Sequence, residues 1–114
     1  MLPLSIGTLA SAEAAEIMKD EEFVWNDEKA KSNRKKHKVS FETARGVFSD
    51  PDRIEDDDRD SSFDEDRFFA IGEAGNTVYF VVFAILDDGR TRIISARRAN
   101  KNQTDDYNRR KTTG

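Results

Sequence analysis

The feature that most constrains this chain is the run Val78–Leu86, "VYFVVFAIL", nine consecutive apolar residues in a sequence that is 37% charged. A strand open to water on one side alternates apolar with polar positions, so a run apolar at every position predicts a central strand covered on both faces. The run is about half the length a membrane-spanning helix needs. Segments on either side have period-two patterning and are divided by turn signals: "DRIED", "RFFAIGE" and "RTRIIS". Gly72–Asn76 supplies one hairpin connection and Asp87-Asp88-Gly89 a tight one.

Before Pro51 the period changes to that of a helix. Asn26 offers an N-cap, with Asp27 and Glu28 in the first turn, and predicts a helix from about 27 to 37. On that helix Ala30, Asn33 and His37 fall on one stripe, flanked by Lys29 and Lys36, while Lys31, Lys35 and Lys38 point away. Ser40 caps a second short helix in which Phe41, Ala44, Val47 and Phe48 recur at helical spacing, and "SDP" at 49–51 stops it. The tail "ARRANKNQTDDYNRRK" predicts a loosely held terminal helix. The expected order is a strand, two helices, three or four antiparallel strands, and a helix, which is α+β.

The 114 residues suffice for one small domain, assigned to 23–114. Residues 1–22 form an N-terminal extension that is expected to be disordered or a weakly docked helix. They lack the basic and apolar regions of a secretory signal. With no cysteine, disulfides, thiolate nucleophiles and cysteine-based zinc sites are excluded, and the cytoplasm is the natural compartment.

The formal net charge of -4 conceals strong segregation. Residues 23–48 carry seven Lys/Arg against three Asp/Glu, and residues 90–111 carry eight against two. Residues 50–66 carry ten acids against two arginines. Two basic blocks that converge in space would make a polyanion site. No nucleotide-binding loop, HExxH or GxSxG motif occurs, the single histidine argues against a multi-histidine metal site, and no cofactor is called for. The remaining chemistry is metal-free work on a phosphodiester, which needs a base, cations for the phosphorane charge and a proton donor. His37, Lys36, Arg67 at the entry to "FFAIG" and Arg97 at the end of "TRIISAR" are the candidates. Strict alternation along that last strand places Thr91, Ile93, Ser95 and Arg97 on one face, with Arg92 and Ile94 on the other.

The stretches "FVWNDEKAKSNRKKHKVSFETARGVFSDP", "DRFFAIGE", "VYFVVF" and "RTRIISARRA" together resemble the BrnT family of toxins of bacterial type II toxin–antitoxin systems. The pattern W-[ND]-x-x-K-x-x-x-N-x-x-K-H-x-V-x-F, followed later by I-I-S-A-R-x-A, carries the likeness. It implies a RelE/ParE-like fold, a small antiparallel sheet packed by two N-terminal helices and a C-terminal helix. The implied activity is a metal-independent endoribonuclease that cleaves RNA by 2′-hydroxyl attack and arrests growth. A BrnA-like ribbon-helix-helix antitoxin would neutralise it, expected as a 2:2 heterotetramer that binds operator DNA through the antitoxin, with no membrane partner. Lys29, Asn33, Lys36 and His37 would form one wall of an RNA groove and Arg67 and Arg97 its floor, with Arg92, Ser95, Arg98 and Tyr107 as further RNA contacts. Gln103 stands where such families often carry a glutamate. A RelE/ParE-like binding protein without cleavage, acting as co-repressor or on a target such as gyrase, is the competing expectation.

Overall fold

In the computed structural model, residues 22–58 and 67–113 are described. The expectation for the N-terminal extension lies outside them, apart from the exposed Glu22. The elements are β1 (Phe23–Val24), α1 (Asp27–His37), α2 (Phe41–Arg45), a 3-10 turn (Gly46–Ser49), β2 (Ile54–Asp57), β3 (Phe68–Ala74), β4 (Thr77–Ile85), β5 (Thr91–Arg98) and α3 (Lys101–Thr113). No helix among the described residues is long and apolar enough to cross a membrane.

Both early helices begin where their caps dictate. Asn26 Oδ1 accepts the Lys29 backbone N–H at 3.0 Å, and Ser40 Oγ accepts that of Thr43 at 3.1 Å. Helix α1 ends at Lys38, which adopts a left-handed φ of 63° and returns its N–H to the Arg34 carbonyl. The last turn carries Arg34, Lys35, Lys36 and His37, cations that suit the negative end of the helix dipole.

The sheet order is β1-β5-β4-β3-β2, so the apolar run β4 is the central strand, as its composition demands. The sheet is mixed and departs from the expected antiparallel arrangement: β1 pairs parallel with β5, Phe23 opposite Thr91 and Val24 opposite Arg92. The β3–β4 hairpin turns on Gly75 and Asn76 alone, with Gly75 at φ 65°, so Gly72 and Glu73 belong to the strand.

Residues paired across strands share a face. Ala70, Val81 and Ala96 form one row, and Phe68, Phe83 and Ile93 the next. They meet Val39, Phe41, Ala44 and Val47 in the core, where Phe41, Ala44 and Val47 are fully buried. Phe48 joins the cluster through an edge-on contact with Phe83 at 5.0 Å.

A β-bulge between Val82 and Phe83 changes the alternation expected for β5. Val82 pairs with Ser95 but Phe83 with Ile93, leaving Ile94 as the extra residue. Ile93 therefore joins Ala96 on the core face, whereas Arg92, Ser95 and Arg97 share the opposite one. The expected grouping of Thr91, Ile93, Ser95 and Arg97 is corrected by this one inserted residue.

Helix α3 is held more firmly than its weak pattern suggests. Asn100 Oδ1 accepts the Gln103 N–H at 2.8 Å and Gln103 Oε1 accepts the Asn100 N–H at 2.9 Å, a reciprocal capping box. One turn later Tyr107 is 1% exposed, and its hydroxyl donates to Asp50 Oδ2 at 2.6 Å. The same oxygen accepts the Glu73 N–H at 2.8 Å. Gly72 makes this approach possible, since a Cβ there would lie 2.9 Å from Val47 Cγ1 and 3.3 Å from Asp50 Oδ2. Burial opposes ionisation of Asp50, but the hydrogen bonds from Tyr107, Glu73 and Asp52, with the Lys111 charge, hold its carboxyl below the ordinary 3.8. Burial first, and then the Asp50 carboxylate, push the Tyr107 phenol well above its ordinary 10.0.

Candidate functional site

Three of the expected basic residues come together at the edge of β5. A cleft of about 380 Å³ is lined by Asn26, Lys29, Arg67, Arg92, Ile93 and Ile94. Asn26 and Lys29 come from the start of α1. Arg92 comes from the β5 face exposed by the bulge, and pairs with Ala84 of β4. Arg67 immediately precedes Phe68, whose partner is Phe83, so Arg67 follows the row that crosses β4 at Ala84. Ala84 is 2% exposed and small, which leaves room for two arginines to approach from either side. Among the described residues no carboxylate lines this cleft, and three of the six described lining residues are cations.

Arg97 does not join them. It lines a second cleft, of about 490 Å³, with Phe69, Ile71, Phe80, Gln103, Asp56, Asp57, Asp58 and Asp106. Its guanidinium stacks on the Phe80 ring, 4.3 Å from the centroid, and donates from Nη1 to Gln103 Oε1 and the Arg98 carbonyl, both at 3.1 Å. The expectation that Arg67 and Arg97 form one floor is corrected: they line different clefts, and the acids beside Arg97 make its surroundings unfavourable to a polyanion. A third cleft, on the other side of α1, balances Asp27 and Glu42 against Lys31 and Arg34.

Two of the residues expected to contact RNA are buried. Asn33 is 7% exposed. Its Nδ2 donates to the carbonyls of Val39 at 3.0 Å and Ala96 at 2.8 Å, and its Oδ1 accepts the Ala96 N–H at 3.1 Å. The amide bonds three backbone groups on the core side of α1. Tyr107 is likewise buried, with its hydroxyl on Asp50.

His37 and Lys36 lie outside the cation-lined cleft. His37 lies eight positions beyond Lys29, about 12 Å along the helix axis. His37 is half-buried at the end of α1 and Lys36 is exposed. Ser95 is half-buried on the face of Arg92 and Arg97, and Arg98 is exposed. Among the described residues no group of three or more His, Cys, Asp or Glu is placed to hold a metal ion.

The residue that sequence reasoning missed is Asn26, read as a helix cap but also part of the cleft wall. The signal available was its position immediately ahead of Lys29 on the basic helix.

The fold and cleft define a small α+β protein with a cation-lined pocket at a sheet edge. The model for the family described as "Ribonuclease toxin, BrnT, of type II toxin-antitoxin system" matches residues 25–103, and the chain belongs to that family. Among solved structures the chain is similar to the ribonuclease toxin BrnT of Brucella abortus, with a TM-score of 0.51 and 24% identity over 69% of this chain and 96% of that one. That likeness concerns the fold. No curated protein sequence matches the chain. As a toxin of a type II system, it has an antitoxin as partner and RNA as target.

Proposed function

We propose that this protein is a metal-independent endoribonuclease whose phosphodiester sits in the cleft of Lys29, Arg67 and Arg92. The observation that carries the reading is the convergence of those three cations on one cleft. Such a lining attracts a phosphate and repels a divalent cation. The 2′-oxygen attacks phosphorus while its proton passes to solvent, and the bond to the 5′-oxygen breaks, leaving a 2′,3′-cyclic phosphate and a free 5′-hydroxyl. Arg67 and Arg92 stabilise the negative charge that grows on the non-bridging oxygens. The Lys29 ammonium gives its proton to the leaving oxygen.

The RNA continues along α1, and Lys36 and His37 contact its backbone beyond the cleft. Arg97 acts through the fold, tying β5 to α3. The antitoxin is a BrnA-like ribbon-helix-helix protein that covers the cleft in a 2:2 complex and carries the assembly to operator DNA. The toxin acts in the cytoplasm and its fold is related to that of RelE and ParE. Support for the last points comes from the sequence resemblance.

One observation favours a second reading, that of a binding protein without cleavage: the sole histidine does not line the cleft. Incubating the protein with labelled RNA in EDTA separates the two, since only the first yields fragments ending in a cyclic phosphate.

A further inference from the structure

Two fastenings of α1 to β5 bracket the cleft. Ahead of the helix, β1 pairs Val24 with Arg92. Further along, the Asn33 amide donates to the Ala96 carbonyl at 2.8 Å and accepts the Ala96 N–H at 3.1 Å. Asn26 and Lys29 of the helix wall fall between positions 24 and 33, and Ile93 and Ile94 of the strand wall fall between 92 and 96. Apolar packing does little to set the helix there, since Ala30 is the one apolar residue of α1 and Asn33 its one buried residue. Apolar contact has no direction, whereas a hydrogen bond fixes both distance and angle. Lys29 stands one turn before Asn33, about 6 Å along the axis and on the same side of the helix. A slide or rotation of α1 released by loss of the Asn33 bonds is therefore carried to Lys29.

Resting on the endoribonuclease reading, in which Lys29 protonates the leaving oxygen, we propose that Asn33 is a positioning residue for that proton transfer. Its amide takes both backbone groups of Ala96, as a residue of a neighbouring strand would, and so holds the Lys29 ammonium at the cleft. Arg92 stands on the sheet and Arg67 at the entry to β3, so charge stabilisation stays in place when α1 shifts. Misplacing a reacting group by about 1 Å costs up to roughly 100-fold in rate.

The test uses the whole protein at saturation in EDTA with two RNA substrates, one natural and one with sulfur in place of the scissile 5′-oxygen. Thiols ionise near pH 8.5, roughly, so a thiolate leaves without a proton and the second substrate needs no acid. Asn33→Ala, and Asn33→Asp, which keeps an acceptor for the Ala96 N–H, are read below their measured melting temperatures. Each should cleave the natural RNA about tenfold or more slowly, with binding unchanged, and the sulfur substrate at the natural protein's rate. In a Lys29→Ala background, Asn33→Ala should cause no further loss, because it acts through Lys29. Equal slowing of both substrates, or a full further loss in that background, would overturn the inference. So would failure of both variants to fold, which would leave Asn33 to the fold alone. Lys29→Ala slowing both substrates alike would instead overturn Lys29 as the proton donor, and absence of cleavage by the natural protein would overturn the endoribonuclease reading, the inference falling with either.

Discussion

Tyr107 and Asp50 stand 57 positions apart, and the phenol of one donates to the carboxylate of the other at 2.6 Å. The bond joins the terminal helix to the segment that follows the 3-10 turn. Asp50 also receives the Glu73 N–H, so one carboxylate fastens helix, strand and turn.

Removing only the hydroxyl, as in Tyr107→Phe, should cost about 1.5–3 kcal/mol near neutral pH, the range for a hydrogen bond to a charged group. Because the folded-state pKa of Asp50 is depressed, its contribution is present above the unfolded value of 3.8 and is lost as pH falls through the lower folded value. Denaturant unfolding of both proteins at neutral and strongly acid pH should show the difference shrinking at acid pH. The raised Tyr107 pKa has the opposite sense: its contribution is complete below 10.0 and is lost as pH rises through the folded value.

Asn33→Ala should destabilise the protein by roughly 2–4 kcal/mol, because it strands the Val39 carbonyl and both backbone groups of Ala96. Thermal unfolding measures this directly. A variant of natural stability with weakened RNA binding would contradict the buried role.

How much of this was legible depended on the distance between the partners. Asn26 and Ser40 cap through residues three positions away, so both helix starts could be read from the sequence. The run Val78–Leu86 announced its central place through composition alone. The bulge at Ile94 could not be read, because it is a property of how β5 registers against β4. Parallel pairing of β1 with β5 joins residues 68 positions apart, Phe23 with Thr91, and leaves no local mark. The helical stripe identified Asn33 and His37 as facing inwards. Whether that side is a groove or a packed interface is decided by Ala96, on a strand 63 residues away from Asn33. The cleft was half legible: the basic blocks were evident, but their partition between two clefts follows from how far along one shared face each arginine emerges, Arg92 opposite Ala84 and Arg97 opposite Phe80.

Arg97→Ala should lower the melting temperature, since it removes the stack on Phe80 and the bond to Gln103. The slope of log RNA affinity against log salt should stay at its natural value, because Arg97 neutralises no phosphate. A shallower slope in this variant would place RNA in the acidic cleft instead.

The most direct test is single-turnover cleavage of labelled RNA at saturating protein in EDTA, for the natural protein, Arg67→Ala, Lys29→Ala and His37→Ala. The account predicts cleavage by the natural protein, with Arg67→Ala and Lys29→Ala each slower by roughly 100-fold or more. His37→Ala should bind RNA less tightly yet cleave at close to the natural rate once saturated. A natural rate in Arg67→Ala, or a His37→Ala variant that binds RNA and folds normally but no longer cleaves, would move the chemistry out of the Lys29–Arg67–Arg92 cleft and contradict the account.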